Sequence, residues 1–268
     1  MPVSPEAYSP TEVSEILLDF YQFLTTLHYD AQYLKTPPPE GWPGLDPLLD
    51  YLARSDHVRE VMKRIPYFDN DCKSYIHFKS RFIDFPTLPE RYFKSVMDWR
   101  VQWSNEAWSN RRDTIVDFYD FFPLALGHET WSRHIWFNAR DGEIIEEAHR
   151  EGDSEPVDLK EYLEALKQAY INLDLIPCRG RLTIEVIDVN ELPEGQRVTE
   201  GEVVAQDDEW GTDLDIQYIR QLYRDCGWPN VFRRDEAFDA VDALMDKIKD
   251  RREEWEVERE DWITGHWC

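Results

Sequence analysis

Seven histidines, four cysteines and 55 carboxylates are the groups that could do chemistry in this chain of 268 residues. The histidines are His28, His57, His77, His128, His134, His149 and His266. A zinc protease needs two histidines four apart, so that both rings share one helix face with a glutamate beside them. The nearest approach is His128-Glu129-Thr130-Trp131-Ser132-Arg133-His134, with the rings six apart in a segment that reads as loop, then strand. No metal site is expected from that spacing. The cysteines Cys72, Cys178, Cys226 and Cys268 form no C-x-x-C pair, which zinc ribbons and thioredoxin-like sites require. They are expected to be free thiols in a reducing cytoplasm or nucleus. Dinucleotide, P-loop and nucleophile-elbow motifs are absent, and 11 glycines leave little material for a phosphate-cradling loop. No cofactor is expected.

Carboxylates and aromatics leave more room. A glycosidase needs two carboxylates roughly 5–10 Å apart across a cleft, and spacing alone selects no such pair. Runs such as Asp207-Asp208-Glu209 and Glu253-Glu254 read as solvated charge. Trp131, His134, Trp136 and Asp141 gather around one hairpin signal and form the first candidate binding group. A Trp-lined groove there would hold a sugar or a peptide; the competing role for tryptophan is to fill the core of a small sheet. Trp255 and Trp262 form the second group. They are seven apart, nearly on one helix face, and either pack back on the protein or meet a partner.

These residues need elements to position them. Ser9-Pro10 followed by Val13, Ile16, Leu17, Phe20, Phe23, Leu24 and Leu27 predicts a capped amphipathic helix over 9–29. Five prolines between Lys35 and Pro47 predict an extended connection. A second helix is predicted from Asp46 to Arg64, stopped by Pro66. The period then changes. Near-alternation predicts strands over Tyr75–Phe85, Thr114–Phe122, His134–Asn138, Glu143–Glu147 and Arg181–Val189. Asp141-Gly142 predicts a tight turn between the third and fourth of these. Helices are predicted over Val157–Leu173, Thr212–Cys226 and Asp235–Trp262, and an acidic loop over Glu191–Trp210.

Helices, then a meander, then helices predict an α+β fold with a mainly antiparallel β-meander flanked by N-terminal and C-terminal helices. Strands do not alternate with crossover helices, which argues against a Rossmann-like sheet. The expected organisation is a helical segment (1–65), an α+β core (66–190), and an acidic loop with C-terminal helices (191–268) that joins the core. The formal charge of -25 opposes binding to nucleic acid or to an anionic membrane surface. No stretch is apolar for long enough to cross a bilayer, and the first residues lack the basic and apolar pattern of a secretory leader.

Arg133 to Leu173 is the most distinctive stretch. A strand (HIWFN), a turn (ARDG), a second strand (EIIEEA), an acidic loop and a helix (VDLKEYLEALKQAY) follow one another. This order resembles the carboxyl-terminal half of SUKH-type domains, the family of fungal cell-wall-synthesis regulators and bacterial toxin-immunity proteins. Leu88-Pro89-Glu90-Arg91-Tyr92 resembles the Leu-Pro-x-x-Tyr element at the start of such domains, without the Asn-Gly pair that follows it there. The resemblance covers residues 66 to 176, and the Trp- and Tyr-rich composition is similar to that of filamentous-fungal proteins. It implies a non-enzymatic protein-interaction or regulatory module. With the charge, it makes a basic-surfaced protein the expected partner. The alternative is a hydrolase using paired carboxylates in an aromatic-lined groove.

Overall fold

The computed structural model describes residues 7–52, 54–89, 118–127, 132–148, 152–179, 183–186, 189–206 and 213–248. The first helix, α1 (Pro10–Leu27), starts where the sequence places it. The Ser9 hydroxyl accepts from the Glu12 backbone N–H, and the Glu12 side chain accepts from the Ser9 N–H. This reciprocal cap satisfies two of the donors that a helix start leaves open. Val13, Leu17, Phe20, Leu24 and Leu27 are all buried, the face that their three- and four-residue spacing predicts.

The single helix predicted over 46–64 is two, α2 (Asp46–Leu52) and α3 (Asp56–Arg64). Ser55 separates them. Its backbone is extended and its hydroxyl accepts from the Val58 N–H, so the serine begins a new helix instead of continuing the old one. The short strands β1 (Leu34–Lys35) and β2 (Tyr67–Phe68) pair antiparallel beside them.

The main sheet is antiparallel throughout. It holds β3 (Tyr75–His77), β4 (Ser80–Phe82), β5 (Phe121–Gly127), β6 (Arg133–Asn138), β7 (Glu143–Ala148) and β8 (Gly152–Asp153) in that order, with β9 (Val157–Asp158) also paired to β7. The strand predicted over Tyr75–Phe85 is therefore a hairpin. His77 pairs with Ser80, and Lys79 takes the left-handed φ of 52° that so tight a reversal needs. Alternation reads alike on both sides of a two-residue turn, and lysine does not announce one. The strand expected over Thr114–Phe122 begins later: residues 118–120 form a 3-10 turn, and 114–117 lie outside the described residues.

The turn between β6 and β7 falls at Asp141-Gly142. The Asn138 carboxamide oxygen accepts from the backbone N–H of Arg140 and Asp141, and Gly142 has φ of 73°. A Cβ on Gly142 would lie 2.6 Å from a ring carbon of Tyr8 and 2.9 Å from the Ala7 methyl. Gly142→Val is therefore expected to destabilise the protein by roughly 1–3 kcal/mol, combining left-handed strain with displacement of Tyr8. Urea unfolding measures it; an unchanged midpoint would mean that the turn does not require glycine.

The helix predicted from Val157 is α4 (Leu159–Asn172), capped by Asp158, whose carboxylate accepts from the Lys160 and Glu161 N–H groups. It runs parallel to α1. Tyr8 bonds to Asp158 at one end, Lys167 bridges Asp19 and Glu164 midway, and the His28 ring stacks on Tyr170 at the other end, 5.5 Å between centroids. Of the strand expected over Arg181–Val189, β11 (Ile184–Glu185) pairs with β10 (Leu175–Ile176), and 181–182 and 187–188 lie outside the described residues.

The acidic segment expected to be loop contains α5 (Glu200–Val204), opened by a reciprocal Thr199–Glu202 cap. Thr-x-x-Glu is the sequence signal for such a start. Then come α6 (Leu214–Asp225), ended by Gly227 at φ of 90°, and α7 (Arg234–Ile248). The Trp228 indole donates to the Tyr170 carbonyl at 3.0 Å and ties this end of the chain to α4. One continuous buried cluster runs from Val13 through the sheet to Ile248. Among the described residues, seven α-helices around an antiparallel sheet make this an α+β fold. Among the described residues, no helix is long and apolar enough to cross a membrane.

Candidate functional site

The two described residues of the hairpin group on β6 point into the protein. Trp136 is fully buried, and its indole N–H donates to a Glu147 carboxylate oxygen at 2.9 Å. His134 is 4% exposed, and its Nδ1 accepts from the Gly127 N–H at 3.0 Å. It ties the ends of β5 and β6 together. Of the two roles weighed for Trp136, groove wall and core, the indole occupies the core and offers no open face to a ligand. Asp141 is exposed at the turn, where it accepts from the Asn138 side chain at 2.7 Å. Trp131, Trp255 and Trp262, and His128, lie outside the described residues.

The structure assembles a different polar cluster, which no local motif announces because its members come from five elements. Arg133 of β6 is its centre. Its Nε lies 3.2 Å from Glu146 of β7, and its Nη1 donates to Glu185 of β11 at 2.9 Å. The Tyr162 hydroxyl of α4 donates to Glu146 at 2.7 Å. His77 of β3 packs against the same guanidinium and accepts from the Phe78 N–H on Nδ1 at 2.8 Å. Burial and the adjacent Arg133 push His77 down to about 3, so its ring is neutral at physiological pH. Burial and Glu146 raise the Tyr162 hydroxyl well above its ordinary value.

Two carboxylates, a histidine and a tyrosine are the residue types of acid–base catalysis. Their arrangement argues for another role. Both carboxylates turn onto one cation instead of facing each other across a cleft, the geometry that paired-carboxylate hydrolysis needs. The cluster ties the β10–β11 ribbon and α4 to the sheet. Among the described residues Cys72, Cys178 and Cys226 form no disulfide, and burial pushes Cys72 up to about 12, leaving it a neutral thiol. Among the described residues, no group of three or more His, Cys, Asp or Glu side chains is placed to hold a metal ion.

The surface has a clearer character. Basic side chains are held by carboxylates of the same chain: Arg59 by Asp50, Lys63 by Asp46, Lys167 by Asp19, Arg197 by Asp225 and Arg224 by Glu191. Exposed carboxylates also line α1 and α4, Asp19 and Glu164 among them held by Lys167. Glu12, Glu15 and Asp19 form one exposed stripe of α1, and Glu161 and Glu164 lie exposed on the neighbouring helix. Burial, Asp158, Glu161 and Glu12 together push the Tyr8 hydroxyl up to about 12, which registers the negative potential at that end. Two parallel helix N-termini offset part of this charge.

The chain matches no protein-family model, no curated protein and no solved structure. Within Arg133–Leu173 the strand–turn–strand hairpin (β6 and β7) and the helix α4 lie where the sequence predicts them, and residues 90–92 lie outside the described ones.

Proposed function

We propose that this protein is a non-enzymatic, SUKH-like interaction or regulatory module that binds a protein partner through a basic surface on that partner. The observation that carries this is the internal pairing of the cations. With Lys63, Arg59, Lys167, Arg197 and Arg224 engaged, the chain still carries 55 acidic against 30 basic residues, and Glu12, Glu15 and Glu161 are among the carboxylates that lie exposed. Such a potential steers a cationic partner toward the surface and disfavours nucleic acid and anionic lipid. The α1–α4 end is the natural contact, since both helices display carboxylates there. Free thiols at Cys72, Cys178 and Cys226 suit a reducing compartment, the cytoplasm or nucleus.

The test is recovery of the native complex from a host extract at about 50 and about 300 mM salt. Exposed charges are screened over a Debye length that shortens from roughly 14 to 6 Å across that range, so recovery is expected to fall steeply. Reversing Glu12, Glu15 and Glu161 to lysine is expected to weaken it at low salt. A partner held equally well at both salts, and by the reversed variant, would refute the electrostatic reading.

A further inference from the structure

A half-open cavity of about 440 Å³ lies where four separate segments meet: the chain after α1, the turn after β2, the loop after β10 and the first turn of α7. That volume is within the range of roughly 300–1,000 Å³ typical of small-molecule sites. Tyr29, Tyr33 and Phe238 supply aromatic wall, and Arg179 and Arg234 line the same space. In a chain with so large an acidic excess, two arginines at one cavity stand out.

The hydrogen bonding of those arginines shows what they leave available. Arg179 uses only Nη2, which donates to Asp239 at 2.7 Å and Asp242 at 2.6 Å. These bonds and the Phe238 ring, 5.9 Å from its guanidinium carbon, hold the group in place, and Nε and Nη1 have no partner among the described residues. Arg234 donates through Nη1 to the Tyr29 carbonyl at 3.3 Å, and its Nε is 3.7 Å from Asp235. Its Nη2 has no partner among the described residues. The carboxylates that also line the cavity, Asp30, Asp71 and Asp235, are exposed to bulk water, Asp235 by 84% of its side chain, which screens their charge. Anchored guanidinium groups with spare, coplanar N–H donors match the geometry of carboxylate and phosphate oxygens. Aromatic rings beside them match a flat apolar body.

We propose that this cavity binds a small organic oxyanion, a carboxylate or phosphate ester carried on a flat apolar body, with its head on Arg179 and Arg234 and its body against Tyr33, Tyr29 and Phe238. The site is separate from the acidic α1–α4 end. It would make the module responsive to a metabolite.

Calorimetric titration of the full chain tests this with four probes: phenyl phosphate, benzoate, inorganic phosphate and benzylamine. One aryl anion is expected to bind one to one and more tightly than inorganic phosphate, and the stronger of the two identifies the head group. Benzylamine, of similar shape and opposite charge, is expected not to bind. Arg234→Gln is expected to weaken the aryl anion about tenfold or more, the usual scale for losing a charged hydrogen bond in a partly enclosed site. Arg179→Gln, on a half-exposed side chain, gives a second variant should the first not fold. No binding by either aryl anion at millimolar concentration would overturn the proposal on the wild-type protein alone. So would equal binding of benzylamine, or full affinity in a folded arginine variant.

Discussion

Acidification from neutral pH is expected to destabilise this protein before most of its carboxylates titrate. His28 and His77 are the cause. Burial and the neighbouring Arg234 push His28 down to about 3; burial and Arg133 do the same to His77. An unfolded chain binds a proton at each histidine near pH 6.5, whereas the folded protein does not until about 3. Below 6.5 the unfolded state therefore holds more protons, and stability falls as pH falls, by about 1.4 kcal/mol per pH unit for each histidine. The contribution is complete above pH 6.5 and is lost progressively between there and 3. From pH 7 to 5 the two together are expected to remove roughly 4 kcal/mol, a large share of the 5–15 kcal/mol that holds most domains folded. Glu191, held low mainly by its bond to Arg224, and Glu236, held low by Arg233, act in the same direction but in the carboxylate range below.

Urea unfolding at about pH 7.5, 6 and 5 measures the slope directly. His28→Phe separates the two histidines. Both ring nitrogens of His28 are buried without a hydrogen-bond partner, and its ring stacks on Tyr170. Phenylalanine keeps the stack and removes the titration, so the slope between pH 6 and 5 is expected to drop by about half. A wild-type slope near zero, or an undiminished slope in the variant, would sink this account.

Trp136→Ala is expected to be the most damaging single substitution among the residues singled out as candidate ligands. The indole is completely buried, and among the described residues it is the largest of the fully enclosed side chains. Truncation leaves a cavity in the middle of β6 and removes one donor from Glu147, a carboxylate only 6% exposed. Aromatic-to-alanine changes in cores cost about 3–5 kcal/mol, and the buried carboxylate adds to that. Trp136→Phe keeps most of the packing and is expected to lose roughly 1–3 kcal/mol. Denaturant midpoints of the two variants check both figures. If Trp136→Ala unfolds like the wild type, the indole is not a core residue and a ligand-groove role regains its ground.

Much of the architecture was legible because its causes are local. Ser9 and Glu12 are three residues apart and close a cap without reference to the rest of the chain; Thr199 and Glu202 do the same in a segment expected to be loop. The apolar stripe of α1, the Asp158 cap of α4 and the Gly142 turn follow from interactions within about one helical turn or one hairpin loop. Such signals specify an α+β chain and the hairpin at its centre. They do not fix where a regular pattern is interrupted. Ser55 divides a continuous apolar periodicity, and Lys79 reverses a continuous alternation, because caps and pairing partners outweigh residue preference at those points. The candidate sites lay further out of reach. Arg133 gathers with His77, Glu146, Tyr162 and Glu185, 13 to 56 positions away in the sequence, only after the sheet and α4 have packed. The cavity of Arg179 and Arg234 exists only where four distant segments converge. Composition determined the sign of this protein's surface. Long-range packing decided which charges pair, which histidines stay neutral and that the hairpin tryptophan lies in the core, because burial and proximity between distant residues are properties of the closed fold alone.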